Sequence, residues 1–339
     1  MMICPDNGTG NNPAVTVVIA AYNSAHYISQ ALDSVRAQTF SDYEVIVVND
    51  GSEDGVELER ILQSHSLPVI YLAQENKGVS AARNAAIKIA RGEFYAQLDA
   101  DDQWTPDYLE VQLGILKNNP DVAVVYPNAT IIGDSTDAGL EFMKISPSAG
   151  EVTFESLVRQ QCVVMTCVTT RVSIIRAAGL YDEELHSCED FDLWLRIAKS
   201  GLRIVYHRRP LVLYRRHAGS LSSDRVWMAR HILAVYEKCL RTLQLTEAEA
   251  ASVAEEINQS RSLLHLYEGK RALSAGNAKA ARANFDQANE YLRSRKLRLV
   301  IFLLRLMPQF VVRVFTAREF LWTRQPDSKL TGIDHPRIS

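Results

Sequence analysis

The chain lacks what several large protein classes require. Its 339 residues hold no uncharged apolar run of about 18 or more, the least a membrane-spanning helix needs, so no transmembrane protein is expected. The opening stretch MMICPDNGTGNNP has no basic region followed by an apolar one, and reads as a flexible lead-in over residues 1–13, not a signal peptide. Cysteine is sparse. The five (Cys4, Cys162, Cys167, Cys188, Cys239) are odd in number and widely spaced, with neither a paired metal pattern nor a disulfide framework, which points to a reducing, cytoplasmic compartment. A charge excess is missing too: 37 basic against 40 acidic side chains leave −3, too little to gather nucleic acid, so any anionic ligand must be held locally. Finally, the turn after the first strand pattern reads AAYNSAHY, without G-x-G-x-x-G, and no G-x-x-x-x-G-K-[ST] occurs. A dinucleotide-binding dehydrogenase and a P-loop NTPase are both disfavoured.

What is present is a chain with 47% hydrophobic residues, long enough for one large domain with an appendage or for two domains. Over the first ~130 residues, short β-branched runs alternate with helical patterns, the signature of a parallel sheet with crossover helices. Val15–Ala21 reads as a buried strand; Ser24 is placed to cap a helix whose Ile28, Leu32 and Val35 recur at helical spacing. Tyr43–Asn49, Val69–Ala73 and Phe94–Leu98 repeat the strand signal, with helices expected near 56–64, 79–90 and 106–117. Gly92 suits a position just past a helix end, and Pro106 a first helical turn. After Val122–Tyr126 the alternation decays. A helix is expected near 190–200, then two short strands at Ile204–Tyr206 and Val212–Arg215, closing the first domain near 222; residues 223–339 read as helical.

Within that helical region Gly269, Ala281, Phe285 and Ala288 match a tetratricopeptide-type helix pair turning at Gly276-Asn277, but one such match favours a plain helical hairpin, since solenoids need about three repeats. Residues 297–322 are apolar, punctuated by Arg298, Arg305, Arg313 and Arg318, with Pro308 in the middle. Arg295, Arg298 and Arg305 share one helical face, so the opposite apolar face either lies in a membrane interface or packs on the protein itself.

In an open parallel sheet, ligands bind at the carboxyl ends of the strands near the point where strand order reverses. Those ends carry Tyr22-Asn23-Ser24, Asp50-Gly51-Ser52 and Asp99-Ala100-Asp101-Asp102. Carboxylates repel a pyrophosphate unless a divalent cation intervenes, and Mg²⁺ or Mn²⁺ takes such oxygens together with substrate phosphates. Each aspartate alone is explained as a cap or turn residue; their recurrence at successive strand ends points to a nucleotide-plus-metal site.

Six stretches in order, VTVVIAAYN at 15–23, QTFSDYEVIVVNDGSEDG at 38–55, ENKGVSAARNAAI at 75–87, FYAQLDADD at 94–102, CEDFDLWLRIA at 188–198 and YRRHAGSLS at 214–222, resemble family 2 glycosyltransferases of the GT-A fold. The resemblance implies an α/β nucleotide-sugar-binding domain over 14–222 with a mostly parallel, doubly wound sheet, followed by the helical region. By the same resemblance Ala20, Tyr22 and Asp50 line the pocket of the nucleotide base, Arg83 contacts the nucleotide, and Asp99 and Asp101 form the D-x-D motif whose second carboxylate holds the metal. Asp102 extends that run as an alternative ligand. His217 falls on the acceptor-side loop near the metal or pyrophosphate and is implied, with Asp101, as a metal residue. Asp190, with Glu189 beside it, matches the catalytic base, and a carboxylate at a helix N-terminus suits that task because the dipole favours its ionised form. Ser24 departs from relatives with a basic residue there, which leaves phosphate charge to the metal and Arg83. The implied activity is inverting, metal-dependent (Mn²⁺ or Mg²⁺) transfer from a nucleotide-sugar donor to a glycan or lipid-linked glycan, in the cytoplasm or at the inner face of the membrane. A non-catalytic nucleotide-sugar binder or scaffold is the alternative.

Overall fold

The structure is a computed structural model that describes residues 12–217, 219–220 and 223–322. The lead-in expected over 1–13 lies outside it save for its last two positions, as do Ala218, Leu221 and Ser222 of the YRRHAGSLS stretch. The chain divides into two compact units between Arg216 and His217, a little before the boundary read from the sequence.

The first unit is built on one sheet. Its strands are β1 (Val15–Ala21), β2 (Tyr43–Asp50), β3 (Ile70–Gln74), β4 (Phe94–Gln97), β5 (Gln103–Trp104), β6 (Val122–Gly133), β7 (Thr169–Arg171) and β8 (Arg203–Arg216). The helices are α1 (Ala25–Arg36), α2 (Gly55–Ser64), α3 (Val79–Ile89), α4 (Tyr108–Asn118), the short α5 (Phe142–Ile145), α6 (Phe154–Val158) and α7 (Val172–Ala177), and α8 (Glu189–Lys199). Strand order is β3-β2-β1-β4-β7-β6-β8-β5. The first four strands run parallel, and the order reverses between β1 and β4, which opens a crevice at their carboxyl ends. Beyond β4 the sheet is mixed: β7 is antiparallel to both neighbours, β6 and β8 are parallel, and β5 closes antiparallel on β8. β1 and β2 are apolar almost throughout because helices cover both faces of a parallel sheet. Ile28, Leu32 and Val35 of α1 are buried as the pattern predicts, each contributing about 1.5–3 kcal/mol.

Four local expectations are corrected. Ser24 occupies the N-cap of α1, but its hydroxyl makes no capping bond; Asp54 Oδ2 accepts from the Ala25 N–H at 2.9 Å instead. Pro106 precedes α4, whose N-cap is Asp107; the Asp107 carboxylate accepts from the Thr105 hydroxyl and caps no helical N–H. Gly92 is no helix cap: a Cβ there would lie 2.5 Å from the Thr16 backbone N, so glycine is what allows this turn to approach β1. The two short strands expected after α8 are one strand, β8, which pairs along β6 with register shifts around Asn128.

The second unit is helical: α9 (Arg225–Thr242), α10 (Glu247–Ser274), α11 (Ala278–Leu292), α12 (Arg295–Leu306) and α13 (Pro308–Trp322). Asp224 caps α9, and Thr246 with Glu249 forms a capping box on α10. The expected hairpin is α10–α11. Phe285 packs where a Cβ on Gly269 would come within 2.4 Å of its ring, and Leu273, Ala281, Phe285 and Ala288 share a core with Leu297, Ile301, Leu304 and Val312. The apolar face opposite the arginines is thus buried in this unit's own core. Among the described residues no helix is long and apolar enough to cross a membrane.

Candidate functional site

The carboxyl ends of β1, β2 and β4 carry the polar residues the sequence pointed to. The first two ends are laced together: the Asn23 N–H donates to Ser52 Oγ at 3.0 Å, and Asn23 Oδ1 accepts from the Glu53 N–H at 2.8 Å. Asn23 takes φ 49°, a left-handed conformation that asparagine tolerates better than most residues. Tyr22 directly follows Ala21, the β1 partner of Asn49, so it stands beside Asp50 with its ring half exposed. Ala20 lies two residues back, paired with Val48 and only partly covered.

Asp50 is almost wholly buried and holds the segment that leads into α3. Its Oδ1 accepts from Gln74 Nε2 at 2.7 Å and from the Lys77 N–H at 2.9 Å; its Oδ2 accepts from the Gly78 N–H at 2.8 Å. Gly51 permits this approach: its φ is +70°, and a Cβ would lie 2.5 Å from the Asn76 backbone N. A carboxylate offers about four acceptor positions, so about one stays open for a ligand.

At the β4 end the three acids have different surroundings. Asp102 is buried, with Oδ1 accepting the Arg215 backbone N–H at 2.7 Å and Oδ2 facing the Cys167 thiol at 3.8 Å. Burial, then the charges of Asp101 and Asp99, push its pKa well above the usual carboxylate range. Asp99 and Asp101 are only partly covered. The Asp101 main-chain carbonyl accepts from Arg215 Nε at 2.8 Å, which fixes the turn that presents its side chain. Arg215 also donates to Gln30 and lies over the Tyr27 ring. It belongs to the quoted YRRHAGSLS stretch, yet its spacing gives no hint of this clamp.

Asp99 joins an ion network that sequence reading could not assemble. Arg83, on α3 and 4% exposed, donates from Nη2 to Asp99 Oδ1 at 3.0 Å and from Nη1 to Glu189 Oε1. Burial pulls the guanidinium pKa down, but the Glu189 and Asp99 charges outweigh it and hold it well above its usual value. Beneath lie Tyr181, whose ring Arg83 overlies, and Gln97, which accepts from the hydroxyls of Tyr181 and Tyr95. Asn84, next to Arg83, bridges to the Tyr181 carbonyl and to Glu183, seating α3 against the segment before α8.

Cys188 enters α8 with φ 59°, an uncommon conformation for a non-glycine residue. The helix then begins with Glu189 and Asp190. Glu189 is bonded to Arg83, whereas Asp190 Oδ1 accepts the Phe191 N–H at 2.7 Å. Burial, then the Glu189 charge, push the Asp190 pKa up to about 7, against the opposing pull of Arg83 and of that hydrogen bond. A carboxyl poised near neutrality in a cleft is suited to take a proton from a hydroxyl.

The structure therefore brings Arg83, Asp99, Glu189 and Asp190 together, sets Asp101 on the turn after β4, and puts Tyr22 and Asp50 at adjacent strand ends. His217 opens the second unit; its Nδ1 accepts from the Gly219 N–H and its own N–H donates to Ser220 Oγ. No three His, Cys, Asp or Glu side chains among the described residues form a ready metal cage. Partly covered Asp99 and Asp101 still fit a cation that takes one or two carboxylates and completes its shell with substrate phosphates.

Comparison with known proteins agrees. The profile of "Glycosyl transferase family 2" matches residues 16–172. An uncharacterized glycosyltransferase of Rickettsia typhi is 30% identical over 70% of this chain and 74% of its own length. The UDP-Glc:alpha-D-GlcNAc-diphosphoundecaprenol beta-1,3-glucosyltransferase WfgD of Escherichia coli is 32% identical over 55% of this chain and 70% of its own. Among solved structures, the mannosyltransferase PcManGT of Pyrobaculum calidifontis, in complex with GDP-Man and Mn²⁺, aligns with TM-score 0.59 at 20% identity, over 93% of this chain and 89% of that one. Six motifs in family order, a GT-A type sheet with acids at its switch point, and these relatives lead to one assignment: the chain belongs to glycosyltransferase family 2 and is a glycosyltransferase.

Proposed function

We propose that the protein is an inverting, divalent-cation-dependent transferase that moves a sugar from a nucleoside-diphosphate sugar to a hydroxyl of a lipid-linked glycan at the cytoplasmic face of a membrane. The observation that carries this reading is the placement of Asp190 in the first turn of α8, beside the buried network in which Arg83 joins Glu189 to Asp99, with burial raising its pKa. Asp190 takes the proton of the acceptor hydroxyl, whose oxygen attacks the anomeric carbon opposite the departing nucleoside diphosphate. One carbon–oxygen bond forms as the other breaks. Glu189 and Arg83 position the base rather than exchange protons.

Asp101, with Asp99, would hold Mn²⁺ or Mg²⁺. The ion supplies neutralising charge at the leaving diphosphate. Tyr22 and Ala20 flank the base, and the open acceptor position on Asp50 receives a base N–H. WfgD, named for a UDP-sugar donor and a diphosphoundecaprenol acceptor, supports the donor and acceptor classes; the Mn²⁺ in PcManGT supports the cation.

Thermal unfolding with UDP, GDP, dTDP and CDP, each with Mn²⁺ or EDTA, tests the site. A ligand at ~100 times its Kd adds about 2.7 kcal/mol of stability. Stabilisation by one nucleotide only with Mn²⁺ is the expected result; no shift with any nucleotide overturns the proposal.

A further inference from the structure

The helices α12 and α13 carry two apolar faces, and the second unit covers only one. Leu297, Ile301 and Leu304 of α12 and Val312 of α13 are buried in its core. On the far side of α12, Leu299, Phe302 and Leu306 recur at i, i+3 and i+7 and are 55–62% exposed; Phe310 and Val314 of α13 continue the set at 57% and 50%. A helix apolar on opposite sides is not completed by packing on one neighbour. This is not the face that the arginine spacing marks out in the sequence.

The charged side chains of this segment are basic, and one of them, Arg305, pairs with the half-exposed Asp286 of α11 at 3.5 Å. Residues 295–317 include Arg295, Lys296, Arg298, Arg305 and Arg313 and no acid. That composition selects the occupant. A second copy, pairing this face with itself, would bring Arg295, Lys296, Arg298 and Arg313 of both copies, eight like charges, into one interface, which opposes association. An anionic lipid surface answers both features: the rings and leucines enter the acyl boundary while the long basic side chains reach the headgroups. α12 spans 12 residues, about 18 Å, too short to cross a bilayer.

We propose that the exposed apolar side chains Leu299, Phe302 and Leu306 of α12 and Phe310 and Val314 of α13, with the arginines of this segment, dock the protein in the plane of an anionic membrane. Its use to the enzyme rests on the lipid-linked acceptor proposed above; the attachment itself does not.

The test is sedimentation of the full chain with vesicles of phosphatidylcholine alone or mixed with phosphatidylglycerol. Wild type is expected to bind the mixed vesicles more than about twenty-fivefold more tightly, since each basic residue near an anionic surface adds about fivefold. Arg298→Gln with Arg305→Gln is expected to remove most of that preference, a drop of about twenty-fivefold. Phe302→Ser with Phe310→Ser is expected to weaken binding to both vesicle types. All four side chains are solvent-exposed, so unfolding temperature and nucleotide-dependent stabilisation stay at wild-type values, and failure of docking is distinguished from failure of the transferase reading. The proposal is overturned if wild type remains in the supernatant with both vesicle types, if neither variant changes binding, or if the phenylalanine variant only converts a dimer to a monomer.

Discussion

Replacing Arg83 by methionine keeps the length of the side chain and removes the one cation bonded to both Asp99 and Glu189. Arg83 is 4% exposed and the Glu189 side chain 9%, so Glu189 is left as a buried charge without its partner; Asp99, at 26%, recovers some hydration. Breaking a buried ion pair from one side costs about 3–5 kcal/mol, and the exposure of Asp99 places this case near about 3 kcal/mol. For a unit of this size each kcal/mol lowers the unfolding temperature by about 2–4 °C, so Arg83→Met is expected to unfold about 6–12 °C earlier at neutral pH. The assay is calorimetry on wild type, Arg83→Met, Glu189→Gln and the double variant. Because Glu189→Gln removes the stranded charge, the double variant is expected to recover part of the loss, a coupling of about 1–3 kcal/mol. A fall below about 2 °C in Arg83→Met, or additive effects in the double variant, would refute the network as a source of stability.

Three further expectations concern other parts of the molecule. With Asp190 raised to about 7, the base is protonated and inactive below that pH and ionised above it, so transfer is expected to rise through pH 7 and level off; Asp190→Asn loses about 10²–10⁴-fold of the rate, and undiminished turnover in that variant sinks the assignment. Arg215→Met removes two side-chain bonds, to the Asp101 carbonyl and Gln30, about 2 kcal/mol together, and Mn²⁺ titrations of nucleotide-dependent stabilisation are expected to shift by about tenfold. Gly269→Ala places a methyl within 2.4 Å of the Phe285 ring, which costs about 1–3 kcal/mol by overpacking and is read by loss of helical circular dichroism at lower temperature.

The parallel half of the first unit was legible because strands buried on both faces leave continuous β-branched runs, and the helices between them carry regular apolar spacing. The mixed half was not. β6 contains Pro127 at a register shift between Tyr126 and Asn128, and β8 runs through HRRP at 207–210, where three successive residues are exposed before two buried ones. An irregular pair of this kind has no clean period of two, so β8 read as two pieces and β6 as its first five residues. At the site, the acids stood out because they end successive strands. Their partners did not: Arg83 lies 16 residues from Asp99 and 106 from Glu189, and no local pattern encodes such a bond. Asp102 looked interchangeable with Asp101 in sequence; only burial against Cys167 and the Arg215 N–H separates the two.

The division of labour between Glu189 and Asp190 follows from one methylene and one helical step. Neighbours on a helix project about 100° apart, so two acids in the first turn of α8 cannot both face Arg83. The longer Glu189 reaches the guanidinium; the shorter Asp190 folds back onto the Phe191 N–H. Burial, then the Glu189 charge, raise the Asp190 pKa, while Arg83 limits how far it rises. Two adjacent carboxyls thereby have different partners, one a guanidinium and one a backbone N–H, which fits the proposed split between a proton acceptor and its support. The same guanidinium also holds Asp99, two residues before Asp101. One buried cation therefore bonds both Glu189, the neighbour of the proposed base, and Asp99 of the proposed metal-holding turn, so a change at Arg83 is expected to reach both.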